Sequence, residues 1–308
     1  MQSSVIVLKF GSSVLRSAAD LPRAVDEVYR HLREGHRVVA VVSAFAGETD
    51  RLLAEARQYG ERSDPYAIAA LIAVGEQASA AQLSLALDQS GVPSRVLQPR
   101  EIGLLADGDA LDSVPVEVNR EKVLAELQRC WVCVVPGFVA ISRQSRTVLL
   151  GRGGSDLSAL FLAQRLQARC LLIKDVDGLY TSDPALSGPP PLRYSAVTWE
   201  EALRVGGELV QAKAVQWSRK HRWPFDIAAF GSSQGTHVND AASFTVANGR
   251  PAPLRVALLG LGTVGRGVYE RLRMYPEHFS IEKILVLHPD KHIASGVPAS
   301  LLTTDRLS

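Results

Sequence analysis

Little in this chain speaks for a secreted, membrane-spanning or nucleic-acid-binding protein. Its 308 residues include only 3 cysteines, 2 methionines and an aromatic share of 6%. Cys130, Cys133 and Cys170 are too few and too oddly spaced for a disulfide framework. Cys130-Trp131-Val132-Cys133 has the C-x-x-C spacing, but no second ligand pair accompanies it, as a zinc ribbon requires. Trp131 to Pro136 reads as a strand, which would point the two thiols to opposite faces. They are therefore expected to be buried and inert. No apolar run approaches a membrane span. Val5 to Phe10 is too short and lacks the basic flank of a secretory signal. Excess charge of one sign is missing too: 34 basic residues face 32 acidic ones, for a net charge of +2. That leaves no electrostatic footprint for nucleic acid or an anionic membrane. The expectation is a cytoplasmic protein acting on a small molecule.

What is present is an alternation of strand and helix patterns, in a chain whose residues are 46% hydrophobic. Residues 3–9 form a β-branched run. Residues 20–34 place Leu21, Val25, Val28 and Leu32 on one helical face. Val38 to Val42 is continuously apolar, as in a parallel strand buried on both faces. Helices are expected at Asp50 to Arg57, Pro65 to Leu87, Val118 to Gln128, Trp199 to Val205 and Glu208 to Arg219. Further strands are expected at Pro93 to Leu97, Trp131 to Val135, Leu171 to Lys174 and Phe225 to Ala229. Pro189-Pro190-Pro191 reads as a loop. The alternation predicts an α/β fold with a doubly wound, mainly parallel sheet over residues 1–238. Asn239 to Pro253 reads as a linker. Beyond it lie a strand at Leu254 to Leu259, a helix at Val268 to Arg273 and a strand at Ile281 to Leu287.

The most informative motif is Gly151-Arg152-Gly153-Gly154-Ser155-Asp156, between an apolar run and a helical one. Its glycines allow a tight turn whose N–H groups approach an anion, and the following helix directs its positive end there. Arg152 adds a cation and Asp156 a carboxylate. Other motifs sit where buried strands end, the place where open α/β sheets bind ligands. Lys9 precedes Gly11-Ser12-Ser13, and suits either a phosphoryl group or a plain edge position. Glu76 lies among alanines in an apolar helix. Residue type alone favours the surface there, and the alternative is a carboxylate turned into a pocket to hold an ammonium. Asp175 and Asp177 open Asp175-Val176-Asp177-Gly178-Leu179-Tyr180, followed by Thr181-Ser182-Asp183-Pro184. These carboxylates suit Mg²⁺ or a ribose, unless the run is an ordinary Asp-Gly turn. Lys213 is either a solvated helix lysine or a second phosphate contact.

In this order, the motifs resemble the catalytic domain of aspartate kinase in the amino acid kinase family. The resemblance rests on Lys9-Phe10-Gly11-Ser12-Ser13-Val14, Val41-Val42-Ser43-Ala44, Gly75-Glu76-x-x-Ser79-Ala80, Pro136-Gly137-Phe138, Gly151 to Asp156, Asp175 to Asp183 and Ala212-Lys213. It implies phosphorylation of the side-chain carboxylate of L-aspartate by ATP with Mg²⁺. Lys9 would then stabilise the phosphates and Asp156 would orient Lys9. Glu76 would hold the substrate ammonium and Arg152 a substrate carboxylate, with Ser43 and Ser155 beside them. Gly11, Ser12, Ser13, Gly153, Gly154, Lys174, Asp175, Asp177, Tyr180 and Lys213 would line the nucleotide site. No residue is assigned as a metal ligand. The first loop is one residue shorter than the family's usual Lys-Phe-Gly-Gly-Thr-Ser. Thr49-Asp50 stands where an Asn is common, Ala185 replaces an expected Arg, and Gln216-Trp217 replaces a usual His-Pro. A kinase for another small acid such as glutamate, and a binding module that has lost catalysis, remain alternatives.

Gly260-x-Gly262-x-x-Gly265 follows a strand and precedes a helix, the context of a dinucleotide-binding turn. Asp290 lies about where an acidic residue would meet a ribose hydroxyl. Residues 254–308 resemble the opening of homoserine dehydrogenase, as a partial Rossmann unit, in the order found in bifunctional aspartokinase–homoserine dehydrogenases. The family's regulatory domains would lie between the halves, where only a linker is found, so feedback inhibition by that route is not expected. NAD(P) would bind only to a complete dehydrogenase half. A homodimer is a further expectation from the family.

Overall fold

The computed structural model describes residues 4–60, 62–182, 191–207, 209–241, 243–246, 253–276 and 278–305. Ser3, Asp183, Pro184, Ala185, Pro189, Pro190, Glu208 and residues 247–252 of the expected linker lie outside the described residues. The chain divides into two compact units, Met1–Ala247 and Asn248–Ser308.

The first unit runs β1 (Val5–Phe10), α1 (Leu21–Arg33), β2 (Arg37–Val42), α2 (Glu48–Arg57), α3 (Pro65–Gln89) and β3 (Ser94–Val96). It continues with β4 (Leu105–Asp109), β5 (Asp112–Glu117), α4 (Arg120–Arg129), β6 (Val132–Pro136), β7 (Val139–Ile141), β8 (Thr147–Leu149) and α5 (Gly154–Leu166). β9 (Arg169–Lys174), β10 (Arg193–Thr198), α6 (Trp199–Val205), α7 (Ala212–His221), β11 (Phe225–Ala229), β12 (Thr236–Asn239) and β13 (Phe244–Val246) complete it.

Nine strands form one sheet in the order β13-β10-β12-β11-β9-β1-β2-β6-β3. From β11 to β3 every pairing is parallel. Strand side chains alternate between two cores, because successive Cβ atoms point to opposite faces. Val7, Val39, Val41, Cys133 and Leu172 meet Leu127, Leu160, Phe161 and Trp217 on one side. Ile6, Leu8, Val38 and Ala40 meet Val25, Val28, Leu83 and Leu87 on the other. The unit is thus α/β with helices on both faces, as expected.

Several expectations are corrected. A second, four-stranded sheet, β5-β4-β7-β8, has no counterpart in the sequence reading. Its strands are short, and β4 and β5 carry exposed Asp107, Asp109 and Asp112 with Gly108 and Pro115, which read as loop. Within the stretch taken as linker, β13 pairs antiparallel with β10. α3 is long and apolar enough by composition to cross a membrane, although half of its most apolar window is buried within this unit. It packs against α1, α2, β6 and β8, which accounts for its composition. Cys130 caps the C-terminus of α4 rather than lying in the strand. The Cys130 and Cys133 sulfurs therefore lie 3.9 Å apart, instead of on opposite faces. Both are buried free thiols. Gln216-Trp217 has a packing role: the Trp217 ring meets Phe161 edge-on at 6.0 Å and fixes α7 on α5.

The second unit is a parallel β–α–β run: β14 (Leu254–Leu259), α8 (Thr263–Leu272), β15 (Phe279–Leu285), α9 (Pro289–Ile293) and β16 (Leu302–Thr303). Its sheet order is β14-β15-β16, all parallel. α8 starts five residues earlier than the apolar periodicity indicates, because Gly262 already serves as its N-cap.

Candidate active site

Seven chain segments converge on one cavity of about 1070 Å³ at the C-terminal ends of β1, β2 and β9. β1 lies between β2 and β9 in the sheet centre. Lys9, its penultimate residue, is carried there with 6% of its surface exposed. Asp156 sits in the first turn of α5, where the helix N-terminus favours negative charge. Gly153 makes the entry into α5 at φ +78, a conformation that side chains rarely take. At Gly154 a Cβ would come within 2.6 Å of the Phe138 ring. Phe138, at φ 64, is itself a rare non-glycine residue in the left-handed region and lines the same cavity.

At the floor of the cavity the Lys9 ammonium lies 2.7 Å from Asp156 Oδ1, and the Lys174 ammonium lies 3.0 Å from Oδ2. All three groups are buried. Burial alone would raise the Asp156 pKa, but Lys174 and Lys9 overcome it and hold the carboxyl down at about 2. Burial, together with Lys9, draws Lys174 down to about 8 against the pull of Asp156. Two ammoniums around one carboxylate leave a net positive charge with little water to solvate it. Such a place gains from an anionic ligand.

Opposite in chemistry stands Glu76. It is buried on α3, 2% exposed, contrary to the surface position that residue type favours. Its Oε2 has no hydrogen-bond partner. Burial pushes its pKa up to about 8, against the Ala44 backbone hydrogen bond and the attraction of Lys9. The loop carrying Ser43 and Ala44 is pinned to this helix: the Ser79 hydroxyl donates to the Ser43 carbonyl at 2.7 Å. Gly75 allows the close approach, since a Cβ there would sit 3.1 Å from that of Ala44. A buried carboxyl with an open oxygen, lining a cavity, is fitted to receive an ammonium.

Gly11, Ser12, Ser13, Ser43, Arg152, Gly153, Gly154, Ser155, Asp175 and Tyr180 line the cavity with these groups. Arg152 is exposed, and among the described residues no ion pair holds its guanidinium. Two expected members stand outside the lining. Asp177 accepts the Tyr180 hydroxyl at 2.5 Å and lies 3.7 Å from Arg193 Nε. Lys213 pairs with Asp112 and donates to the carbonyls of Leu150 (2.6 Å) and Ser113 (3.0 Å). Its ammonium fastens the β5 hairpin to the turn before Gly151. Gly260, Gly262 and Gly265 belong to the other unit.

The sequence reading missed part of the lining: Arg204 in the last turn of α6, Gly206, Gly207 and Gln211 between α6 and α7, and Phe45 and Gly47 after β2. The Gly206-Gly207 pair between two helical runs was the available signal. Arg204 is held by both oxygens of Glu201, at 2.6 and 2.8 Å.

A model of the amino acid kinase family matches residues 4–222. The chain belongs to the amino acid kinase family. It is 32% identical over 238 residues to an aspartate kinase of Pseudomonas putida, covering 76% of this chain and 58% of that protein. An aspartokinase of Helicobacter pylori is 32% identical over 220 residues, 70% of this chain and 54% of that one. The chain thus spans less than two thirds of these relatives' length. Among solved structures, aspartate kinase from Synechocystis superposes with a TM-score of 0.67 at 29% identity, covering 80% of this chain and 41% of that one. E. coli aspartokinase III in complex with aspartate and ADP gives 0.68 at 21% identity, covering 78% and 65%, a likeness of fold. These matches give no support to a dehydrogenase segment.

Proposed function

We propose that this chain transfers the γ-phosphoryl group of ATP to the side-chain carboxylate of L-aspartate. The observation that carries the reading is the coexistence, in one cavity, of the buried Lys9–Asp156–Lys174 cluster and the unsatisfied Glu76 carboxyl. The first suits phosphates and the second suits an amino group, and an amino-acid kinase needs both. The names of the relatives favour aspartate as that amino acid, and the complex of E. coli aspartokinase III with aspartate and ADP favours ATP as the donor.

Catalysis here is positioning and charge compensation. A carboxylate oxygen of the substrate attacks the γ-phosphorus in line. The bond from that phosphorus to the bridging oxygen breaks, and ADP leaves with the electron pair. The product is an acyl phosphate, and no proton need move. Lys9, held in place by Asp156, meets the transferring group, and Lys174 adds charge beside it. The α5 N-terminus with Gly153 and Gly154 offers backbone donors. Glu76, once ionised, pairs with the substrate ammonium, and Arg152 takes its α-carboxylate. Asp175, exposed at the end of β9, is the carboxylate available to Mg²⁺, which would shield the phosphate charge.

ADP release or acyl-hydroxamate formation with L-aspartate tests the reading, with L-glutamate in parallel. ATP binding without turnover would make the chain a nucleotide-binding module, and absence of both would end the proposal.

We propose further that residues 254–308 are the opening of a dinucleotide-binding fold of the homoserine dehydrogenase kind. Support comes from the parallel β14–α8–β15 connection and from Gly265, whose Cβ would lie 2.4 Å from the Gly260 carbonyl oxygen. β14 is an edge strand in this unit, whereas a dinucleotide site needs strands on both sides of the turn. The unit is therefore expected not to bind NADPH.

A further inference from the structure

Outside the cavity, three potential metal ligands gather at the other end of β1 and β2. α1 ends in a glycine cap: Gly35 takes φ +89, its N–H bonds the Leu32 carbonyl, and the His36 N–H bonds the His31 carbonyl at 3.1 Å. This turn folds His36 back over the last turn of α1. It brings one donor atom each from His31, Glu34 and His36 within 4.8 Å of one another.

Each imidazole has a further partner at its far nitrogen, and Arg30 also lies 3.4 Å from His31 Nε2. His31 Nε2 faces buried Glu27 Oε1 at 3.3 Å, and Glu27 is held in turn by Arg30 and by the Gly231 N–H. His36 Nδ1 meets the Ser4 hydroxyl at 2.7 Å. With each of those nitrogens donating, His31 Nδ1 and His36 Nε2 keep a lone pair each. Both approach the same Glu34 oxygen, Oε2, at 3.1 and 3.9 Å. Imidazoles whose far nitrogens are hydrogen-bonded to a carboxylate or hydroxyl are the arrangement that orients metal-binding histidines. Arg30 faces the other Glu34 oxygen, at 3.8 Å, so it does not occupy the ligand set.

We propose that His31, Glu34 and His36 form a Zn²⁺ site, with water completing a four-coordinate shell. Two imidazoles and one carboxylate suit zinc, whereas Mg²⁺ and Ca²⁺ prefer all-oxygen shells. Tetrahedral coordination needs ligand atoms about 3.3 Å apart, which rotation of the exposed Glu34 and half-buried His36 side chains supplies. The bound metal would tie the α1 C-terminus to the entry of β2.

The test is titration of the untagged full chain with Zn²⁺ alone, by calorimetry or against a chromophoric chelator, with Co²⁺ absorption as a coordination signature. One Zn²⁺ per chain is expected, with Co²⁺ bands of tetrahedral intensity. His36→Ala and Glu34→Ala should each weaken binding by about tenfold or more. Both side chains lie away from the core, so circular dichroism should be unchanged. Failure to take up Zn²⁺ would overturn the proposal. So would uptake that both variants retain in full, which would place the metal elsewhere, for instance on Cys130 and Cys133.

Discussion

Two glycine-rich turns lead from strand to helix in this chain, and they lead to different environments. The turn at Gly151–Asp156 opens onto a cavity floored by Lys9, Asp156 and Lys174, all buried. The turn at Gly260–Gly265 is flanked by Leu259, 86% exposed, and Val264, 81% exposed. Among its described residues, the second unit buries no polar or charged side chain. In the first turn a Cβ on Gly151, Gly153 or Gly154 would run into neighbouring side chains, whereas in the second Gly260 and Gly262 face open space and Gly265 alone of the three is crowded, by the Gly260 carbonyl oxygen. The glycines thus supply a shape for an anion, and neighbouring strand ends decide whether charge is placed to hold one. In the first unit the nine-stranded sheet sets β1, β2 and β9 side by side around the turn. In the second, β14 has a partner on one side only among the described residues.

The largest effect that tests this contrast is expected from Asp156→Asn. It leaves two buried ammoniums without a counter-ion, which should cost about 3–5 kcal/mol of stability in denaturant titration. Turnover should fall by about a hundredfold or more as Lys9 loses its position. Because the folded-state carboxyl titrates at about 2 against an ordinary 3.8, its stabilisation is full above pH 4. It fades as the pH falls toward 2, so wild type and variant should converge in acid. Equal stability of the two at pH 7 would break the contrast.

Glu76→Gln comes next. It should raise the KM for aspartate by at least about tenfold, the loss expected when a buried ion-pair partner is removed. The wild-type KM should rise as the pH falls below about 8, where Glu76 becomes protonated in the free protein, and the variant should lose that dependence. Stability should respond in the opposite sense. A carboxyl whose pKa is raised by folding stabilises most below its ordinary 4.5 and loses that contribution as the pH rises through about 8. Glu76→Gln should therefore raise Tm at pH 9 relative to wild type and change it little at pH 4.

Arg152→Ala should act on substrate binding more than on folding. About a tenfold rise in KM is expected with kcat little changed, because an exposed guanidinium contributes attraction without supporting the core. A larger loss in kcat than in KM would assign Arg152 to the transferring phosphoryl group. The smallest effects belong to the second turn. Gly265→Ala should destabilise its unit by about 1–3 kcal/mol through overpacking, read as faster hydrogen exchange across residues 254–305. The kinase assay should be unchanged. Calorimetry with NADPH should show no heat, and micromolar binding would refute the view that an edge strand cannot complete such a site.

Much of this was readable from residue order. The continuous apolar runs of β1, β2, β6 and β9 mark strands covered on both faces, and that pattern survives in the two cores. Lys9, Arg152, Asp156 and Asp175 were legible because each sits where an apolar run meets glycine or a helix start. Glu76 was legible only through the family resemblance, since one carboxylate in an alanine-rich helix looks the same whether it faces water or a pocket. The surroundings of Lys213 were hidden for the same reason: its partners Asp112, Ser113 and Leu150 are distant in sequence. The β4–β5 hairpin was hidden because aspartates, Gly108 and Pro115 mimic a loop.

The sequence by itself determined the alternation of strand and helix and the positions of the glycine turns, because these follow from local periodicity and backbone sterics. Only the tertiary structure decided which charges meet. It turned Glu76 inward, gave Asp156 two lysines and tied Lys213 elsewhere. Electrostatic partnership depends on distance through space and on lost water, and neither is written in the spacing of residues along the chain.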